Sequence, residues 1–170
     1  MTDLEKTLVV LKPDTIKRWI IWEIFTRFER IGLRLVAAKM VQVTDQLAYD
    51  HYETIGWVVS RRWQDIFNIN AQYMMSGPVL ALVFEWVEAI AVVRKLVGST
   101  SPREALPGTI RGDFAHVSRE YTNQTNSWLP NIAHASANEE EAEKEISLWF
   151  AGAELFDYDM LGREFKIGHK

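Results

Sequence analysis

The chain contains no cysteine, which removes disulfide frameworks, thiolate zinc sites and cysteine nucleophiles together and is compatible with a reducing compartment. It also lacks any apolar run near the ~20 residues that a membrane span needs; the longest, such as Val79 to Phe84, stop far short. Met1 to Glu5 carries no basic opening of a signal peptide. These absences predict a soluble, cytoplasmic protein. There is no excess of basic charge: 19 Lys+Arg against 23 Asp+Glu give a net charge of −4, so a face for duplex nucleic acid would have to be local. Neither GxxxxGK[ST] nor GxGxxG occurs, so the P-loop and Rossmann cradles are excluded, and no HExxH spacing points to a dedicated metal cage. What remains, 170 residues with 48% hydrophobic and 25% charged composition, predicts one globular domain that buries roughly 70% of its unfolded surface.

The hydrophobic pattern alternates strands and helices. Thr7 to Leu11 is short, β-branched and apolar on both faces, then stopped by Pro13, which predicts a buried central strand with a site opening at Lys12. Ile20, Ile24, Phe28 and Ile31 predict a helix over about 17–31 closed by Gly32. Strands follow at 33–43 and 79–85, with helices from Thr44-Asp45 to about 54 and over about 60–75 between them. Glu88 to Val97 predicts a helix, Ser99 to Pro130 a long polar loop of the kind that carries function, Asn131 to Ser136 a short strand, and Asn138-Glu139-Glu140-Glu141 the cap of a final helix. The expected fold class is α/β (α+β), a sandwich in which helices cover a small sheet.

Lys12 at a strand end, Arg94 late in a helix, Ser99-Thr100 and Gly108 to Asp113 form a phosphate-shaped set, because guanidinium forks and hydroxyls suit phosphate oxygens and glycines admit backbone N–H groups. On the residues alone, Arg94 and Arg111 fit solvated surface charge equally well. Among the histidines, His134 has the small neighbours Ala133, Ala135 and Ser136, and Glu145, eleven residues on, is placed to fold back and orient its ring. The same pattern also describes a partly buried structural histidine.

Thr7-Leu8-Val9-Val10-Leu11-Lys12-Pro13-Asp14, Ser76-Gly77-Pro78-Val79, Pro107-Gly108-Thr109-Ile110-Arg111-Gly112-Asp113-Phe114, Asn131-Ile132-Ala133-His134-Ala135-Ser136 and Glu143 to Phe150 together resemble the nucleoside diphosphate kinase family in order and approximate spacing. The resemblance spans about residues 5–158. It implies a ferredoxin-like sandwich with a four-stranded antiparallel sheet, and ping-pong transfer of a γ-phosphate between nucleotides with Mg²⁺ on the nucleotide. It also implies a homo-oligomer (hexamer, or tetramer or dimer). By the same resemblance His134 is the phosphorylated nucleophile, Glu145 and Ser136 orient it, and Lys12, Tyr52, Arg94, Thr100, Arg111 and Asn131 contact phosphate and ribose. Phe67 and Ile66 are candidates for stacking on the base.

The chain departs from the family pattern in carrying Trp19, Trp22, Trp63 and Trp86 where relatives have glycine, and Ala135 after the histidine. Overpacking at such sites predicts a cost of about 1–3 kcal/mol each. About ten residues between Ala115 and Pro130 are extra and predict a reshaped or covered site. Two rival readings are a slow nucleotide-binding scaffold of the same fold and a single-strand nucleic-acid binder using exposed Trp and Tyr.

Overall fold

The computed structural model describes residues 4–54 and 61–160, with backbone alone at 54 and 61–66. Four strands, β1 (Glu5–Leu11), β2 (Arg34–Val41), β3 (Val79–Trp86) and β4 (Ala133–Ala135), form one antiparallel sheet in the order β2-β3-β1-β4. This is the ferredoxin-like arrangement: β3 lies between the parallel pair β1 and β2, and β1 lies between β3 and β4. The eight helices among the described residues are α1 (Pro13–Lys17), α2 (Ile21–Arg30), α3 (Asp45–Thr54), α4 (Arg61–Met75), α5 (Ala89–Val97), α6 (Ile110–Phe114), α7 (Arg119–Thr125) and α8 (Glu139–Trp149). None is long and apolar enough to cross a membrane.

The unbroken apolar runs of β1 and β3 are explained by burial on both faces. Leu8 and Val10, with Val79, Ala81 and Val83, pack under α3, α4 and α8 through Ala48, Met74, Ile146 and Trp149. Val9 and Leu11, with Leu82 and Phe84, pack on the other face against Ile24 and Phe28 of α2 and Val93 and Val97 of α5. Each valine, leucine, isoleucine, phenylalanine or methionine side chain among them, taken fully from water, contributes roughly 1.5–3 kcal/mol. The pleat therefore divides β1 between two cores, and the strand is the spine on which the site is built.

Three differences from the sequence expectations have local causes. The helix expected over 17–31 is shorter and starts only at Ile21 as α2, because Trp19 adopts φ 60 after α1 ends at Lys17 and breaks the hydrogen-bond ladder between the two. Trp19 and Trp22 are 88% and 72% exposed, so the expected overpacking does not occur there; the cost at Trp19 is backbone strain at a side chain that disfavours positive φ. Trp86 is half-buried at the end of β3, and the Trp63 and Ile66 side chains lie outside the described residues. The polar stretch 99–130 contains α6 and α7, each opened by a hydroxyl cap, Thr109 Oγ1 accepting from Gly112 N and Ser118 Oγ from Tyr121 N.

Candidate active site

Register places the histidine. β4 pairs antiparallel with β1 so that His134 lies opposite Val10, and paired residues project to the same face of a sheet. Val10 faces the core under α3 and α8, so His134 is directed to the face where those helices bring His51 and Glu145. The chain enters β4 through a tight turn in which Ala133 N donates to Asn131 O (2.8 Å) and Ile132 takes φ 71, a genuine outlier for a β-branched residue. Three bonds hold this strain: Lys12 N to Ile132 O (2.8 Å), Thr15 Oγ1 to Ile132 O (2.7 Å) and Ile132 N to Asp14 Oδ2 (3.2 Å). The first turn of α1 is thereby tied to the residue two before the histidine.

His134 Nε2 lies 2.7 Å from Glu145 Oε1. The two atoms meet off the hydrogen-bonding direction, so each is buried without an aligned partner. The other carboxylate oxygen is fixed: Ser136 Oγ donates to Glu145 Oε2 at 2.6 Å and accepts from Leu8 N at 3.2 Å. Ser136 and Glu145 are fully buried, so the serine orients the carboxylate rather than facing solvent. Burial, followed by the charges of Lys12, Arg111 and Arg94, pulls the His134 pKa down to about 3. Burial raises that of Glu145, against the opposing effects of His51 and the Ser136 bond. With Nε2 turned to the carboxylate, the remaining ring nitrogen, Nδ1, carries the lone pair available for chemistry.

Of the phosphate-shaped set, Lys12, Arg111 and Arg94 act on this ring, whereas Asp113 pairs with Arg27 (2.6 Å) and accepts from Gly108 N (2.8 Å). Lys12 Nζ donates to Asn131 Oδ1 (2.7 Å), and burial beside Arg111 lowers its pKa to about 7. Asn131 Nδ2 donates to the carbonyl of Thr100 (3.0 Å), whose side chain is exposed. Arg111 is buried, and its guanidinium donates to three backbone carbonyls, Asn131 (3.0 Å), Gly98 (2.9 Å) and Ala133. Neither a solvated charge nor a free clamp describes it: it braces both sides of the histidine loop through three of the five guanidinium N–H groups. The backbone on either side of it needs two glycines, Gly98 at φ 84 before it and Gly112 after it, where a Cβ would collide with the Leu106 carbonyl. Arg94 is exposed, and its charge acts on both Arg111 and His134. Tyr52 is buried, packed on His51 (5.4 Å) and Phe67 (5.7 Å).

Sequence reasoning missed His51, Tyr73 and Trp128. The His51 ring stands edge-on to His134 with centroids 4.5 Å apart, and its Nδ1 accepts from Trp149 Nε1 at 3.3 Å. It sits on a helix face with no spacing to another histidine, so no sequence pattern marked it. His51, His134 and Glu145 put three ligating atoms within 4.8 Å of one another. Two imidazoles and one carboxylate suit a borderline metal, whereas Mg²⁺ takes oxygen donors and keeps to phosphates.

The family model described as nucleoside diphosphate kinase matches residues 5–155. The nucleoside diphosphate kinase of Borreliella burgdorferi is 44% identical over 155 residues, covering 91% of this chain and 92% of that one. That of Pyrococcus horikoshii is 41% identical over 158 residues, covering 93% and 92%. A solved transition-state mimic of the Borrelia burgdorferi nucleoside-diphosphate kinase with bound vanadate and ADP superposes with a TM-score of 0.88 at 42% identity, covering 95% of this chain and 96% of that one. With a family model matched over residues 5–155 and relatives above 40% identity across about nine-tenths of both chains, the chain belongs to the nucleoside diphosphate kinase family.

Proposed function

We infer that His134 carries the phosphoryl group in this kinase, moving the γ-phosphate of a nucleoside triphosphate such as ATP onto a nucleoside diphosphate in two displacements at one imidazole. The observation that carries the reading is the way the ring is held: Nε2 rests against Glu145 Oε1 at 2.7 Å while the charges of Lys12, Arg111 and Arg94 act on the ring. A histidine so placed is neutral near pH 7, and its Nδ1 lone pair is nucleophilic.

In the first displacement Nδ1 attacks the γ-phosphorus, the bond to the β,γ-bridging oxygen breaks, and its electron pair leaves with the nucleoside diphosphate. The ring retains its Nε2 proton, and the positive charge it gains is met by the Glu145 carboxylate that Ser136 holds in place. The second displacement runs the same step in reverse, with a terminal oxygen of the acceptor diphosphate taking the phosphoryl group. Such transfer through a loose transition state asks for alignment and charge neutralisation, which suits Lys12, Arg94 and Arg111 on phosphate oxygens and Tyr52, Thr100 and Asn131 on phosphate or ribose. Mg²⁺ enters with the nucleotide as part of the substrate and neutralises phosphate charge. The whole chain acts as one domain. A homo-oligomer, hexamer, tetramer or dimer, fits the exposed Trp19 and Trp22, and a cytoplasmic setting suits a reaction on nucleoside triphosphates.

The test is incubation with γ-labelled ATP and Mg²⁺ and no acceptor. Label should appear on the protein in acid-labile, alkali-stable form and chase onto added GDP, and His116→Ala should label normally. Bound nucleotide without label would favour the scaffold reading.

A further inference from the structure

The extra segment between Ala115 and Asn131 has no part in the phosphotransfer steps, yet one of its side chains reaches their cationic end. Helix α7 closes with Asn126 in the left-handed conformation, Asn126 N donating to Thr122 O and Ser127 N to Thr122 O (3.0 Å). This turn sends the next residue, Trp128, back onto α4, where its indole stacks on Tyr73 with centroids 5.7 Å apart and planes 25° off parallel. The Tyr73 ring is the one over which Lys12 Nζ lies, 5.6 Å from the centroid. Tyr73 is only 3% exposed, with its hydroxyl buried beside Asp14, so its ring carries the contact between the indole and the ammonium inside the packed protein. Three residues after Trp128 comes Asn131, whose Oδ1 accepts from the same Lys12 ammonium at 2.7 Å. Trp128 is thus joined to Lys12 twice, through space by Tyr73 and along the chain by Asn131.

We propose that Trp128 is a positioning residue for nucleotide binding: by stacking on Tyr73 and pinning the chain that enters Asn131, it holds the Lys12 ammonium where nucleotide phosphate or ribose meets it. The proposal rests on the reading that Lys12 contacts the nucleotide. An ammonium over an aromatic face and an offset aromatic stack are both directional contacts, so a side chain of equal apolar bulk without a π-face does not replace the indole. A flat ring does.

The experiment measures ADP affinity by titration calorimetry, and phosphoenzyme formation from ATP, in Trp128→Ala, Trp128→Leu and Trp128→Phe, each also combined with Lys12→Met. Trp128→Ala and Trp128→Leu should weaken ADP by about tenfold, Trp128→Phe should bring it back to within about threefold of wild type, and in the Lys12→Met background all three should have the same affinity. Trp128→Leu keeps the apolar volume and serves where the alanine variant folds poorly. Unchanged ADP affinity in the alanine and leucine variants would overturn the proposal, as would a loss of the same size with Lys12 absent, which would mark Trp128 as part of the fold only. Failure of the kinase reading is separate: it appears as a wild-type protein that binds ADP and takes no label from ATP.

Discussion

Replacing Lys12 by methionine should make the protein more stable and far less active. Lys12 is a buried ammonium whose pKa falls from 10.5 to about 7. Because the folded value lies below the unfolded one, the charge destabilises the fold; the cost is full below about pH 7 and fades as pH rises toward 10.5. At pH 6.5 it is on the order of 4–5 kcal/mol, and at pH 9.5, where the folded state is already neutral, on the order of 1–2 kcal/mol. Methionine keeps the length and removes the charge. Against this gain, Asn131 Oδ1 loses its donor, about 1–3 kcal/mol, and the contact with Tyr73 is lost, about 0.5–1 kcal/mol. The net is a stabilisation of about 1–3 kcal/mol at pH 6.5 that falls by about 3 kcal/mol by pH 9.5, where the variant is no more stable than wild type. Urea unfolding at the two pH values reads the difference directly. A Lys12→Met protein less stable at pH 6.5, or a stability difference indifferent to pH, would refute the account of a cation kept buried for its ligand.

Arg111→Ala should lower kcat by roughly a hundredfold or more and should also lower stability by several kcal/mol, because the Asn131, Gly98 and Ala133 carbonyls lose their shared donor; wild-type turnover would remove this loop from the site. Glu145→Gln should slow phosphorylation by about 10–100-fold and still permit labelling, since the attacking nitrogen remains while its orientation is lost; rapid-quench labelling measures it, and a wild-type rate would show that the contact at 2.7 Å is idle. Trp19→Gly should raise stability by about 1 kcal/mol by relieving a residue at φ 60, whereas Trp22→Gly, inside α2, should lower it by about the same amount. A fall in Tm and in assembly size for Trp19→Gly would mean instead that the exposed indole is packed in the oligomer.

The sheet was legible because β1 and β3 are continuous apolar runs, a pattern that only a strand buried on both faces requires. Glu145 folding back on His134 followed from a capped helix beginning just after the strand. The turn at Ile132 was not legible: an isoleucine leading into the small residues Ala133, Ala135 and Ser136 reads as strand, and its positive φ is imposed by bonds with Lys12, Thr15 and Asp14, far away in sequence. The same holds for Arg111, whose partners are backbone carbonyls that no side-chain pattern can announce. Helices α6 and α7 were within reach, since Thr109 and Ser118 are ordinary hydroxyl caps. The surrounding glycines, prolines and polar residues pointed to a loop, and that signal prevailed. His51 and Tyr73 enter the site through packing between helices, for which one sequence carries no cue.

The central claim is that the phosphoryl group rides on Nδ1 of His134. Nitrogen-15 NMR of histidine-labelled phosphoenzyme, trapped with ATP and Mg²⁺ and held at alkaline pH, identifies both the residue and the ring atom. The account predicts one phosphorylated imidazole, substituted at Nδ1 and absent in His134→Ala. Substitution at Nε2, which the structure turns toward Glu145, or a phosphohistidine that survives in His134→Ala, would contradict it.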